Sequence, residues 1–255
     1  MKKCLFVGAT SDIAQEMVVN LLQQNYQVIA SYRDGGHYST LLERGKGLRG
    51  HLSSIELDVE SRKSFRHFRT HCRDRIHKID LFINAIGLVA YGEFSKLTSQ
   101  EISRALWVNL QSAIELAQVA LPLLQKSDAR TKKFVQFGSM AGFGRGQRGF
   151  SVYSAAKEGL VGFLRSVSHE YKEEGIYFYL VRPAGVGTRI VEKAIGSSEL
   201  SINFNNSILD IPSDVATGVV RLIGLTPSNS FSCVLPTQLS RDTYEESKEE
   251  ENTIY

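Results

Sequence analysis

Short runs of strand-type residues punctuate the chain, and stretches of helical period separate them. Cys4–Val7, Val28–Ser31, Ser54–Val59, Asp80–Ile83, Phe134–Phe137, Tyr177–Val181 and Ser232–Leu235 are predicted strands. Their mostly continuous apolar character suits strands covered on both faces. Between them, 13–24 sets Ile13, Met17, Val18, Leu21 and Leu22 on one helical face. The stretch 61–78 does the same with Phe65, Phe68, Cys72 and Ile76. Thr98 and Glu101 form a capping-box pattern ahead of a long helix over 101–125. Another helix is predicted over 153–171 with Ala155, Ala156, Leu160, Phe163, Leu164 and Val167 near helical spacing, a short one near 40–44, and a last one over 213–222. Strands alternating with helices predict one α/β domain over 1–240: a Rossmann-like, doubly wound parallel sheet of about seven strands with helices on both faces. The segment 189–212 is expected to lie over the site as a loop with a short helix. The charged tail 241–255 is expected to be disordered.

Composition narrows the class. With 255 residues and 42% hydrophobic residues, the chain can bury one substantial core. A net charge of +3 is too small to argue for nucleic acid. The basic residues gather in 61–78, where Arg62, Lys63, Arg66, Arg69, Arg73, Arg75 and Lys78 surround the apolar stripe. They are expected to form a solvated face, with docking of a nucleic acid or acidic protein as the other reading. Cys4, Cys72 and Cys233 are odd in number and far apart, which indicates neither a disulfide framework nor a metal site. His67, His71 and His77 have no carboxylate or thiol partner at ligand spacing. Asp12 ends the first apolar run too early for a signal peptide, and no run is long enough to span a bilayer. A soluble, cytoplasmic protein is expected.

The chemistry concentrates between Ser139 and Lys157. Tyr153 and Lys157 stand one helical turn apart, on one face. An ammonium beside a phenol favours the phenolate and is expected to lower its pKa. A serine hydroxyl from another segment can hydrogen-bond the oxygen of a reacting carbonyl. The set suits moving a proton on or off a carbonyl or alcohol oxygen. Upstream, strand, glycine turn and helix over 4–24 have the form of a phosphate-binding β-α-β opening.

The spacing Gly8-x-x-x-Asp12-Ile13-Ala14 resembles the glycine turn of the short-chain dehydrogenases/reductases. Asn84-Ala85-Ile86-Gly87 resembles that family's Asn-Asn-Ala-Gly. Ser139, Tyr153-x-x-x-Lys157 and Pro183 followed by Thr188 complete an ordered set spanning about residues 4–236. The resemblance implies hydride transfer between a nicotinamide and a carbonyl or alcohol substrate. Tyr153 would be the general acid, Lys157 its partner and ribose ligand, and Ser139 the stabiliser of the substrate oxygen. Asn109 would hold a water linking the lysine to solvent. Cofactor contacts are implied for Gly8, Thr10, Ser11, Asp12, Ile13, Asp58, Val59, Asn84, Gly87, Pro183, Gly185, Val186 and Thr188. Asp12 is read first as a helix N-cap with Gln15 completing a capping box, ahead of a direct cofactor role. NAD-preferring relatives place an acid at the end of the second strand; here Tyr32 stands there, followed by Arg33, which could pair with a 2′-phosphate, and one residue later by Asp34, so NADP is expected rather than NAD. The alternative is a non-catalytic NADP-binding sensor or scaffold on the same fold. The family's helix pairing implies a homodimer or homotetramer. Arg145 and Arg148, in the glycine-rich link 142–150, are either solvated or close over an anionic substrate group.

Overall fold

The computed structural model describes residues 1–141, 143, 146–186, 194–196, 209–225, 228–242 and 245. Seven strands run through them: β1 Lys3–Val7, β2 Gln27–Tyr32, β3 His51–Glu56, β4 Leu81–Asn84, β5 Lys132–Phe137, β6 Ile176–Val181 and β7 Phe231–Val234. They form one parallel sheet in the order β3-β2-β1-β4-β5-β6-β7. The helices are α1 Asp12–Gln23, α2 Gly35–Gly45, α3 Arg62–Arg75, α4 Ser99–Leu106, α5 Ser112–Gln125, α6 Ser151–Glu170 and α7 Pro212–Gly224. The doubly wound α/β sheet expected from the strand and helix pattern is therefore present.

Both sheet faces are covered, which is why β1, β4 and most of β5 and β6 are buried end to end. One core joins Leu5, Phe82, Phe134 and Phe178 to Phe68 of α3, Leu116 of α5 and Leu164 of α6. The other joins Phe6, Val28 and Val135 to Met17 of α1, Leu41 of α2 and Val219 of α7. β1 pairs with β2 on one side and β4 on the other, with Val7 opposite Asn84. The winding reverses there, and open sheets of this kind leave a crevice beyond the strand ends at that point.

Two helices differ from expectation. α2 begins at Gly35 because Asp34 caps it, its Oδ1 accepting from the amides of Gly36 (2.8 Å) and His37 (3.2 Å). The capping box of Thr98 and Glu101 forms as expected, but the helix it opens is not continuous. Trp107–Gln111 is a π-helical turn between α4 and α5. Asn109 Nδ2 donates to the Ala105 carbonyl (3.0 Å) and Ser112 Oγ to the Val108 carbonyl (2.8 Å). Side chains thus bond carbonyls of the ladder where it widens.

Candidate active site

Above the C-terminal ends of β1, β2, β4, β5 and β6 lies a cleft of about 880 Å³. Its floor at one end is the turn after β1. Gly8 has φ +77°, and a Cβ there would stand 3.1 Å from backbone atoms of both Ala85 and Ile86. Only glycine suits that conformation and that approach. The Gly8 amide donates to Ser31 Oγ (3.0 Å), fixing the turn to β2. Thr10, Ser11, Asp12 and Ile13 continue the lining. Ser11, not Asp12, is the N-cap of α1, in an extended conformation and without a side-chain bond to the helix. The expected capping box does not form. The turn leaves Asp12 already helical, and Gln15 Nε2 donates to the Thr10 carbonyl instead (3.1 Å). The first-turn amides of α1 receive no bond from the cap side chain.

Charge gathers at the far end of the same floor. Arg33, after β2, faces Glu60 at 3.6 Å. Arg104 of α4 grips Glu60 with two bonds, 2.5 and 3.0 Å. The hydrogen bond from Arg104, aided by the charges of both arginines, holds the Glu60 carboxyl below its ordinary pKa. Arg33, Glu60, Arg104, Asp58 and Val59 all line the cleft. Asp58 also accepts from the Glu60 amide (3.0 Å), the turn-forming role open to any aspartate there.

At the other end stand Ser139, Tyr153 and Lys157, all lining the cleft. Ser139 follows β5, and Tyr153 and Lys157 come from the first turns of α6. Ser139 stands near enough to the Tyr153 hydroxyl to favour its phenolate. Lys157, 3% exposed, donates to the Phe137 carbonyl (3.2 Å) and lies 5.6 Å from the centre of the Tyr153 ring. Burial brings the Lys157 ammonium down to about 8. Burial also raises the Tyr153 phenol above its ordinary value, with Ser139 opposing it. The expected lowering of Tyr153 by Lys157 is therefore not seen: in a site this enclosed, loss of hydration outweighs the neighbouring charge. Phe150 lines the cleft between the Tyr91 ring (4.8 Å) and the Tyr153 ring (6.0 Å).

Residues 2–197 match the family described as short chain dehydrogenase. The chain belongs to that family. Among its relatives, 3-oxoacyl-[acyl-carrier-protein] reductase FabG of Buchnera aphidicola is 26% identical over 191 residues, 75% of this chain and 76% of that protein. Retinol dehydrogenase 8 of Bos taurus is 27% identical, covering 86% of this chain and 77% of its own. A short-chain dehydrogenase from Sphingobium yanoikuyae, solved in complex with NADPH, superimposes with a TM-score of 0.82 at 19% identity, over 100% of this chain and 95% of that one.

Within this short-chain dehydrogenase most residues singled out from sequence converge on one cleft. Gly87, Pro183, Gly185 and Val186 line it with those already named. Asn84 and Asn109 do not. Asn84 is buried beneath the floor, donating to Gln136 Oε1 (2.9 Å) and accepting from the Ile86 amide (3.0 Å). Asn109 accepts from the Leu88 amide (3.0 Å) and donates to the carbonyls of Leu88 (2.7 Å) and Ala105. It ties the wall segment after β4 to the π turn. Thr188, Arg145, most of 189–212 and the tail beyond 245 lie outside the described residues. Arg148 is exposed and away from the lining, and Phe143 covers Arg182 (5.4 Å) rather than the cleft. Glu60, Arg104 and Leu239 line the cleft without having been anticipated. A charge on a polar helix face, as Arg104 is, carries no sequence mark of a partner 44 residues away.

Proposed function

We propose that the protein transfers a hydride between NADP(H) and a carbonyl or alcohol carbon. The observation that carries this is that Ser139, Tyr153 and Lys157 line the same cleft as the Gly8 turn. The residues present fit a dinucleotide. Gly8 removes the one side chain that would obstruct its floor, α1 presents first-turn amides to an anion, and Arg33 offers a forked cation for a 2′-phosphate. Tyr32 instead of an acid at the end of β2, with Arg33 next to it, supports NADP over NAD. Lys157 would hold ribose hydroxyls, and Pro183, Gly185 and Val186, which line the cleft, would wall the nicotinamide end. When bound, NADPH supplies the hydride that the chain's own residues cannot.

Ser139 donates to the substrate oxygen and fixes it beside the Tyr153 hydroxyl. As the carbonyl carbon gains the hydride, the C=O π bond breaks and the oxygen takes the phenolic proton. A phenol kept above its ordinary pKa by burial is protonated at neutral pH, as reduction requires. Lys157 then stabilises the phenolate left behind. Asn109 acts on the wall and the π turn, and so on the site's shape. The named relatives act on an oxoacyl chain and a retinol, and the carbonyl or alcohol class rests partly on them.

The test is NADPH consumption over a panel of ketones, ketoacyl thioesters and keto-sugars, with Tyr153→Phe as control. That variant keeps the ring and loses the proton. Turnover should fall about 10²-fold or more while NADPH titrates the protein as before. Undiminished turnover in Tyr153→Phe would remove Tyr153 as the general acid, and NADPH binding without consumption over the whole panel would leave a nucleotide-binding sensor as the better description.

A further inference from the structure

Ser139 is held by more than its place after β5. The Gly138 amide donates to the Val181 carbonyl (2.7 Å) and the Met140 amide to the Pro183 carbonyl (3.2 Å). Between those acceptors stands Arg182, 3% exposed, whose Nη1 donates to the Ser139 carbonyl (3.2 Å). The same guanidinium meets both carboxylate oxygens of Glu158, at 2.7 and 2.9 Å. Glu158 follows Lys157 on α6, and Lys157 returns to the Phe137 carbonyl. A closed circuit results: Ser139 carbonyl, Arg182, Glu158, α6, Lys157, Phe137, and back along the chain to Ser139. The Phe143 ring lies over the guanidinium and shelters it.

Stability alone gives a weak reason for such a pair. Arg182 is buried while Glu158 is half-exposed, and an ion pair that takes a charge out of water is commonly no better than well-packed apolar residues of similar volume. An apolar pair, however, has no directed donor for the Ser139 carbonyl and no rigid strut to the helix of the general acid. The fork of an arginine supplies both. Resting on the hydride-transfer assignment, we propose that the Arg182–Glu158 pair is the positioning device of this site. It fixes Ser139 against Tyr153, and Arg182 governs turnover without touching the substrate.

Arg182→Lys keeps the charge but cannot reach Ser139 and both Glu158 oxygens at once. It should lower kcat about tenfold, the scale of a modest misplacement of reacting groups, with KM and NADPH affinity changed less than about twofold. Glu158→Gln should give a smaller loss of the same kind and serves if the first variant does not fold. In a Ser139→Ala background Arg182→Lys should cost little more, because Arg182 acts through that serine. In the ligand-free protein, amide hydrogen exchange at 138–141 should quicken in both arginine-pair variants. Full kcat in Arg182→Lys, or an equal loss with and without Ser139, would overturn the proposal. So would unchanged exchange at 138–141. If instead the wild type consumes NADPH with no member of the panel, hydride transfer is the assignment that fails, whereas intact turnover in Ser139→Ala and Tyr153→Phe removes the roles given to those two residues; in either case exchange alone decides the role of Arg182.

Discussion

Lys157 carries its charge where charge is disfavoured. Burial moves its pKa from an ordinary 10.5 to about 8. The folded protein therefore binds that proton less well than the unfolded chain does. Its penalty is full at neutral pH, below both values, and fades as pH rises from about 8 towards 10.5. At about 1.4 kcal/mol per pKa unit the charge costs roughly 3 kcal/mol at pH 7. The bond to the Phe137 carbonyl returns about 1 kcal/mol. Lys157→Met should accordingly stabilise the protein by about 2 kcal/mol at pH 7 and abolish most turnover. The gain should shrink above pH 8. Denaturant melts at pH 7 and 9.5 measure it, and a net destabilisation at pH 7 would contradict the penalty. The proton-transfer role proposed for Lys157 would account for a lysine kept against this cost.

At the scale of elements, the end of β2, the turn after β3 and helix α4 meet through Arg33, Glu60 and Arg104. Glu60 occupies cations that would otherwise face an anionic ligand. Arg33→Ala should weaken NADPH binding by about 1.5–3 kcal/mol, the scale of a charged hydrogen bond, and barely alter NADH. Glu60→Gln, which removes the competing charge, should tighten NADPH severalfold. Equal losses for both nucleotides in Arg33→Ala would mean that Arg33 does not read a 2′-phosphate. This meeting was illegible in the sequence, because it joins three elements distant in the chain. Legible features were those whose cause is local. Apolar runs marked all seven strands to within a few residues, and Thr98 with Glu101 marked the start of α4. Tyr153 and Lys157 share a face by helical geometry alone. Asp34, one residue late for an acid at the strand end, caps α2 instead, a role set by where that helix begins. Asn109 was harder still. Its position in an apolar helix demanded partners, but only the three-dimensional structure shows that backbone groups of Leu88 and Ala105 meet the demand.

For the whole molecule, the apolar surplus of the long helices is largely absorbed within one chain. Leu116, Leu121 and Leu124 of α5 are buried, and Leu106 is the large exposed hydrophobic of α4. On α6, however, Ser151, Ala155, Gly162 and Ser166 make an exposed stripe of small residues. A Cβ at Gly162 would meet nothing within 4 Å, so a partner helix could approach closely there. We expect a dimer or tetramer at micromolar concentration by light scattering, and Gly162→Arg to dissociate it. A wild-type monomer would exclude this assembly. The turn at Gly8 carries a different consequence, one of time. Gly8 is made early but is packed by Ala85 and Ile86, and β1 stays open on that side until β4 is made. At roughly 5–20 residues per second, a ribosome leaves Cys4–Val7 without its β4 partner for about 4–16 seconds. On the proposed assignment, a nucleotide then has no floor to bind during that interval and cannot rescue the nascent chain. Ligand protection of this protein begins only after synthesis has passed the fourth strand.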